Sequence, residues 1–483
     1  MVKNVNRFTL IQQNDTHSYM EAHWEHFWRN GRPEHRRAGG YARAATIVRQ
    51  LEAETAGHCL LVDCGDTIHG TGPAMWTQGA AIVSALNAMG VGLMTPGNWE
   101  FGFGPAILRE RVAEMQFPVI ACNVEQAATG EREFSPSEVR EIGGVRIGFI
   151  GVTTPIVTQT MPKKFGEGLR FSEGAEALPR CISKLRRDEQ VELIVVVSHL
   201  GFPQEVKLAK EIEGIDVILG GHTHNRLTAP VRVGKTLLIQ SGFDGAFLGK
   251  LDVDVKNGHV CGFQHHLIEV SESIIPHRET EHVINEQLAP FRDRMNEVVG
   301  QTRTALNRMT VLESTMDNLI TDAYLDLTGA DVALSHGWRY GAPIPPGNVT
   351  LGDLWQIIPT NPELFTIEMT GAEIRQKLEM SLENVYASDA FNQKGGYIIR
   401  VSGLNAIVRL NNPKGTRIEQ LDIAGAPFDA ERRYKVAVGG EHEIKIGENK
   451  QRVGATAIEA LREYFRRHSP IEAELTHAKF VAV

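Results

Sequence analysis

The chain has 483 residues, a formal net charge of −9, 42% hydrophobic and 23% charged residues. That is room for two or three ordinary globular domains, and it excludes collagen-like, coiled-coil and wholly disordered architectures. A net negative chain without a basic run offers no footprint for a nucleic acid polymer or an anionic membrane. No uncharged apolar stretch is long enough to span a bilayer.

The opening residues carry neither a long apolar core nor a small-residue cleavage site. A cytoplasmic location is expected, or a periplasmic one if a leader has been removed. The five cysteines are odd in number, scattered, and never paired as Cys-x-x-Cys. They are expected to be core thiols, not a disulfide framework or a zinc ribbon.

In chain order, residues 8–13 form a β-rich run ending at Asn14-Asp15. Residues 42–54 have helical spacing through Ala45, Val48 and Leu51. Residues 59–62 are a buried strand, 80–89 a helix, 91–94 a short strand and 105–115 a helix. His23 and His26, and Trp24 and Trp28, have the spacing of one helix face. Strands are expected at 117–121 and 145–152, and a helix at 173–187. The Leu/Ile/Val run 193–197 predicts a strand covered on both faces. A helix at 204–213 and a buried strand at 215–219 follow, then β-rich text to residue 270. Such βα alternation implies an α/β domain with much parallel sheet.

Residues 279–298 read as a charged helical connection. Beyond it, 316–327 is an amphipathic helix closed by Gly329 at C′. Thr350 caps a helix at 351–358. Thr370 and Glu373 form a capping box ahead of 374–382. Residues 331–334, 397–401, 407–410 and 434–438 are strands.

The chemistry-bearing residues follow the apolar strands. They are Asp15-Thr16-His17, Gly65-Asp66, Gly97-Asn98-Trp99-Glu100, Ser198-His199 and Gly221-His222-Thr223-His224. In open α/β sheets the carboxyl ends of strands form the ligand crevice, so these elements should converge. Positions i and i+2 of an extended segment point to one side. Asp15 with His17, and His222 with His224, could therefore each grip an ion. Carboxylate, amide and imidazole suit Mn²⁺, Fe²⁺, Zn²⁺ or Co²⁺ without a thiolate.

This ordered set resembles the calcineurin-like metallophosphoesterases, and more narrowly their 5′-nucleotidase branch. The C-terminal elements Gly329-Ala330-Asp331, Ser335-His336-Gly337-Trp338-Arg339, Ile344-Pro345-Pro346-Gly347, Pro359-Thr360-Asn361 and Glu368-Met369-Thr370-Gly371 run in that branch's order. The resemblance implies an N-terminal four-layer αββα metallophosphoesterase sandwich over 1–275. It implies a linker helix over 276–300 and a C-terminal α+β 5′-nucleotidase-type domain over 301–483. It implies two divalent metal ions, with Mn²⁺ first among the candidates. Asp15, His17 and His224 would hold one, Asn98, His199 and His222 the other, and Asp66 would bridge both. A hydroxide between the ions would attack a small anionic ester, a nucleotide first among them, and Arg339 would meet its anionic oxygens. Asn361 and Tyr397 would lie on the substrate side.

Two departures stand out. The family's histidine after the asparagine assists the leaving group, and here it is Trp99. An indole N–H donates a hydrogen bond but cannot transfer a proton at neutral pH, so poor leaving groups should react slowly. Glu100 is either a partial substitute or a supporting group. The base-binding aromatic and Gly-Gly-Asp-Gly loop are also replaced, by Gly439-Gly440-Glu441-His442-Glu443. Tyr397 either supplies one face for a base or packs in its strand. Trp99-Glu100-Phe101 and Trp338-Arg339-Tyr340 are similar to the thiosulfohydrolase of the bacterial sulfur-oxidation pathway, which has His where this chain has Asn98. The alternative activity is therefore hydrolysis of a sulfur oxyanion ester. A non-catalytic binding protein is the third reading, and the seven intact ligand positions argue against it.

Overall fold

The computed structural model describes residues 5–441 and 446–483. His442 and Glu443 of the Gly-Gly-Glu segment lie outside the described residues. The chain divides into two compact units: Met1–His23 with Arg37–Pro290, and Trp24–Arg36 with Phe291–Val483.

The first unit holds two sheets. One runs in the order His259–Glu269, Phe247–Lys256, Asn6–Gln13, Cys59–Asp63, Leu93–Met94. The other runs Val231–Val233, Thr236–Ile239, Val217–Leu219, Leu193–Ser198, Val145–Val152, Ser137–Ile142. One core joins them. Phe8, Leu10, Val62 and Leu251 of the first sheet meet Phe149, Val195, Val197 and Leu219 of the second. The helices Tyr41–Glu54, Ala80–Met89 and Arg278–Leu288 pack together on the side of the first sheet. Ala177–Asp188 and Phe202–Glu211 pack on the second. The order of layers is helix, sheet, sheet, helix.

The apolar run predicts this placement well. Every residue of Leu193–Ser198 is buried, and the strand is parallel to both neighbours. Leu193, Val195 and Val197 enter the inter-sheet core, leaving Ile194 and Val196 for the opposite face. Each such side chain contributes about 1.5–3 kcal/mol on burial. The expected strand at 117–121 is instead a pair of isolated bridges, Met94 with Val119 and Ile120 with Ser135. Its backbone divides its hydrogen bonds between two partners, so no ladder forms. All five cysteines are free thiols.

The spacing of His23 with His26 does not mark a helix. His23–Arg29 and Arg32–Ala38 are the arms of a β-hairpin. Its turn is Asn30-Gly31, with φ of 52° and 73°. Two positive φ values in an Asn-Gly pair give the I′ twist that two-residue hairpins need. His26 meets His35 on the other arm, Nδ1 to Nε2 at 3.2 Å.

In the second unit a five-stranded sheet runs Tyr397–Ser402, Val332–Gly337, Arg433–Gly439, Glu363–Thr370, Glu448–Thr456. Apolar residues fill both faces. Val332 and Leu334 enter one core with Val436 and Ile398. Ala333 and Ala437 enter another with Ile320 and Leu461. The helix Thr315–Thr328 ends at Gly329, which is left-handed with φ 57°. The capping box at Thr370 and Glu373 is present, as are two more at Thr350/Asp353 and Thr456/Glu459.

Glu313 ties the C-terminal segment to this unit. It accepts from Asn318 Nδ2 at 2.8 Å, Thr476 N at 2.8 Å, Thr476 Oγ1 at 2.9 Å and His477 N at 2.9 Å. Burial pushes its carboxyl up, but these donors and Lys479 outweigh burial and hold it below the usual value. A depressed folded value stabilises the fold above the unfolded pKa, and that stabilisation is lost as pH falls through it. Glu313→Gln should therefore cost about 1–3 kcal/mol at neutral pH. The deficit should shrink below about pH 4. Urea unfolding at both pH values checks this, and a deficit that grows in acid would refute it.

Candidate metal centre

The strand ending at Gln13 turns sharply into Asn14, Asp15, Thr16 and His17. Asp15 has φ 52° and His17 has φ 44°. Asp66, His222 and His224 are also left-handed, with φ of 58°, 72° and 60°. Each such non-glycine residue costs about 1–3 kcal/mol of strain and persists only where its surroundings impose it. Five of the seven expected ligands are thus held in an unfavourable backbone conformation. The ligand segments are turns, not the extended segments expected from i, i+2 spacing.

The turns form two triads. Asp15, His17 and His224 present ligand atoms within 4.8 Å of one another, and so do Asp66, His199 and His222. His222 and His224 go to different triads, the division the family resemblance implies and extended geometry does not. The two triads adjoin. His199 Nε2 lies 3.2 Å from Asp66 Oδ2 and 3.8 Å from Asp15 Oδ1, and His222 N donates to Asp15 Oδ2 at 2.9 Å. His17 Nε2 and His224 Nε2 approach to 3.1 Å, and His224 Nε2 lies 3.2 Å from Asp15 Oδ1.

Supporting bonds aim these groups. Asp15 Oδ2 is occupied by Asn14 Nδ2 at 2.7 Å as well as by His222 N, which leaves Oδ1 for the cluster. His199 Nδ1 donates to the Cys64 carbonyl at 2.6 Å, which turns Nε2 toward the cluster as the nitrogen that could bind an ion. Asp66 Oδ1 accepts from Trp99 N at 2.7 Å. Asn98 is 4% exposed and begins the 3₁₀ turn Trp99–Phe103. Gly97 makes room for this packing, because a Cβ there would run into Asp66 and lie 2.7 Å from His199 Cε1.

Glu100 braces the arrangement. Its Oε2 accepts from Gly97 N at 2.6 Å and Asp66 N at 2.8 Å. Its Oε1 accepts from Thr67 N at 2.7 Å and Ile68 N at 3.1 Å. Burial and the Asp66 charge push the carboxyl up to about 7. Glu100 was expected among the catalytic groups, as a substitute for the missing histidine or as a support. With four backbone amides on its two oxygens, its geometry is that of a support. Asp63 plays a like part in the adjoining loop, accepting from Gln13 Nε2, Gly65 N and Thr67 Oγ1. Glu100 is marked in the sequence by its Gly-Asn-Trp-Glu segment, whereas Asp63 has no signature beyond an acidic residue at a strand end.

The donor set fits divalent cations. Asp15 Oδ1, Asn98 Oδ1 and His199 Nε2 are buried without a hydrogen-bonding partner among the described residues. Uncompensated polar atoms are expensive to bury unless something else satisfies them. Burial and His224 push His17 down to about 4, so it is neutral at pH 7, as an imidazole ligand must be. Burial lowers His199, but Asp66 and Asp15 raise it to about 10. The carboxylates that would hold a proton there are equally placed to hold a cation. Burial pushes Asp15 up, and His224 and His199 more than offset it, holding the carboxyl well below the usual range.

Residues 8–226 match the calcineurin-like phosphoesterase family, and residues 297–440 match the 5′-nucleotidase C-terminal domain. The chain belongs to the calcineurin-like phosphoesterases with a 5′-nucleotidase-type C-terminal domain. The chain is 26% identical over 492 residues to the trifunctional nucleotide phosphoesterase YfkN of Bacillus subtilis, covering 91% of this chain and 31% of YfkN. It therefore spans about a third of that relative. Among solved structures, sulfate thiohydrolase SoxB of Thermus thermophilus matches with a TM-score of 0.91 at 26% identity, covering 98% of this chain and 96% of that one. A 5′-nucleotidase precursor, also from Thermus thermophilus, matches with a TM-score of 0.86 at 26% identity, covering 99% of each chain. No helix among the described residues is long and apolar enough to cross a membrane.

The remaining expected residues lie in the second unit. Arg339 is part-buried in the loop after Val332–Gly337, between Trp338 and Tyr340, whose rings are 5.4 Å apart. Arg308 holds this loop by donating to the Tyr340 carbonyl at 2.7 Å. Asn361, with φ 37°, uses its Oδ1 to accept from Ile458 N at 2.9 Å. Tyr397 begins its strand and carries the Arg400 guanidinium 5.0 Å from its ring centroid.

Proposed function

We propose that the protein is a dinuclear-metal hydrolase of small phosphate esters, with nucleotides the leading substrate class. The observation that carries this reading is the pair of adjoining triads, Asp15/His17/His224 and Asp66/His199/His222. Asp66 would be shared between two ions, and Asn98 would complete the second ligand set. When bound, such a pair supplies an activated water and neutralises charge on the transferring group, and Mn²⁺ is the first candidate. The chain itself contributes orientation. Left-handed turns aim the ligands, and Glu100 holds the loops that carry Asp66 and Asn98. Arg339, Asn361 and Tyr397 are assigned the substrate side on the family resemblance, a guanidinium being suited to two anionic oxygens at once.

A second reading has support in the relative with the higher TM-score of the two solved structures above, a sulfate thiohydrolase. The site would then take a sulfur oxyanion ester. The test is product release from nucleotides, cyclic nucleotides, an activated aryl phosphate and a thiosulfonate ester, each with Mn²⁺ and with chelator. Metal-dependent phosphate release supports the first reading. Release from the sulfur ester alone supports the second, and no metal-dependent turnover at all refutes both.

Trp99→His would restore a group able to protonate a departing alkoxide. General acid catalysis contributes about 10²–10⁴-fold. The kcat/KM for nucleoside 5′-monophosphates should therefore rise about 10²-fold, with little change for the activated aryl ester. A uniform change across both substrates would refute this account of Trp99.

A further inference from the structure

His69 is not among the expected ligands and has no role in the scheme above. It is 1% exposed, and neither Nδ1 nor Nε2 has a hydrogen-bonding partner among the described residues. An imidazole sealed in protein normally satisfies at least one nitrogen. Asp15 Oδ1, Asn98 Oδ1 and His199 Nε2, the atoms assigned above to metal ions, share this condition. His69 is the third residue after Asp66. The next residue, Gly70, has φ 137° and is pressed on the His17 segment, where a Cβ would lie 2.5 Å from the His17 carbonyl oxygen.

The ring is held in place by aromatic packing. It lies face to face on Trp99, with centroids 4.3 Å apart and planes within 15°. Phe103 packs on it at 5.5 Å, and a Cβ on Gly102 would approach its Cδ2 to 3.0 Å. Trp99 is itself tied to Asp66 through its backbone N–H. The imidazole is thus clamped in one orientation while both its polar atoms go unused.

We propose that His69 is a substrate-contacting residue, whose ring N–H donates to the departing group of an ester held at the Asp15–Asp66 centre. This deepens the hydrolase reading and rests on it. Burial and His17 push the imidazole down to about 3, so it meets substrate neutral and acts as a fixed donor, not as an acid. Neither His69 nor Trp99 then supplies a proton to an alkoxide. The pair selects groups that leave as stable anions: the second phosphate of an anhydride, an aryloxide or a thiolate. Alkyl monoesters such as nucleoside 5′-monophosphates are disfavoured.

The test compares two anions by calorimetry on the Mn²⁺-loaded protein, with metal content measured alongside. Methylenediphosphonate occupies both the transferring and the departing positions, and orthophosphate only the first. His69→Phe keeps the stack and removes both nitrogens, whereas His69→Gln keeps a neutral donor. The expected result for His69→Phe is about 10-fold weaker diphosphonate binding with orthophosphate binding unchanged. His69→Gln should recover part of the loss. In turnover, His69→Phe should steepen the dependence of kcat/KM on leaving-group pKa across a series of aryl phosphates. Unchanged affinity for both anions in His69→Phe overturns the assignment, and so does an equal loss of both. A wild-type chain that takes up metal but binds neither anion overturns it too. If the wild type takes up no metal, the hydrolase reading itself fails.

Discussion

Asp66→Ala should leave the protein folded and remove both its metal and its activity. Asp66 contributes a carboxylate oxygen 3.2 Å from His199 Nε2 and, in the proposed scheme, is the one group shared by both ions. Its other oxygen accepts the Trp99 N–H. Alanine deletes the shared charge and leaves the imidazoles with a single carboxylate, Asp15, around the cluster. Charge stabilisation by bound metal is worth several kcal/mol, so a loss of at least about 10³-fold in kcat/KM is expected. Metal content after dialysis should fall from two ions per chain to one or none. Asp66→Asn separates the contributions, because its amide oxygen can still accept from Trp99 N while the charge is gone. It should bind metal nearly as poorly as Asp66→Ala. Undiminished metal content in either variant would sink the dinuclear scheme.

Glu100→Ala should be among the most destabilising single changes in the first unit. Four backbone amides, those of Gly97, Asp66, Thr67 and Ile68, converge on this one buried carboxylate. Each orphaned buried donor costs about 1–3 kcal/mol, with relaxation and entering water reducing the sum. A net loss on the order of 4 kcal/mol is expected. Urea unfolding of the metal-free protein is the right measurement, because it separates bracing from ion binding. A change within about 0.5 kcal/mol would show that the amides find other partners. If the loss is found, metal affinity should fall with it, since Asp66 and Asn98 ride on the braced loops.

The two expectations differ in how visible their residues are in the sequence. Asp66 follows an apolar run and sits in a Gly-Asp pair, so its placement at a strand end can be read locally. Glu100 is an acidic residue one position past Trp99, and nothing local says which amides it will meet. His69 is hidden in the same way, since a lone histidine in a loop carries no pattern. The hairpin that starts at His23 is legible in principle, because Asn30-Gly31 after an aromatic-rich run is a turn signal. The i, i+3 histidine spacing pointed instead to a helix. Turn chemistry outweighs side-chain spacing there, because an Asn-Gly pair takes two successive positive φ values at little cost.

What the sequence determined by itself is whatever rests on short-range periodicity and on the chemistry of adjacent residues. The buried strand over 193–197, the helix closed at Gly329 and the capping box at Thr370 belong to that class. So does the family, because its ligand motifs are short and each follows an apolar strand. The tertiary structure alone decided the rest. It forced five of the expected ligand residues into left-handed backbone, turned Glu100 into a brace and clamped His69 on Trp99. Each of these depends on groups brought together from segments far apart in the chain, where burial, strain and unsatisfied hydrogen bonds are settled jointly.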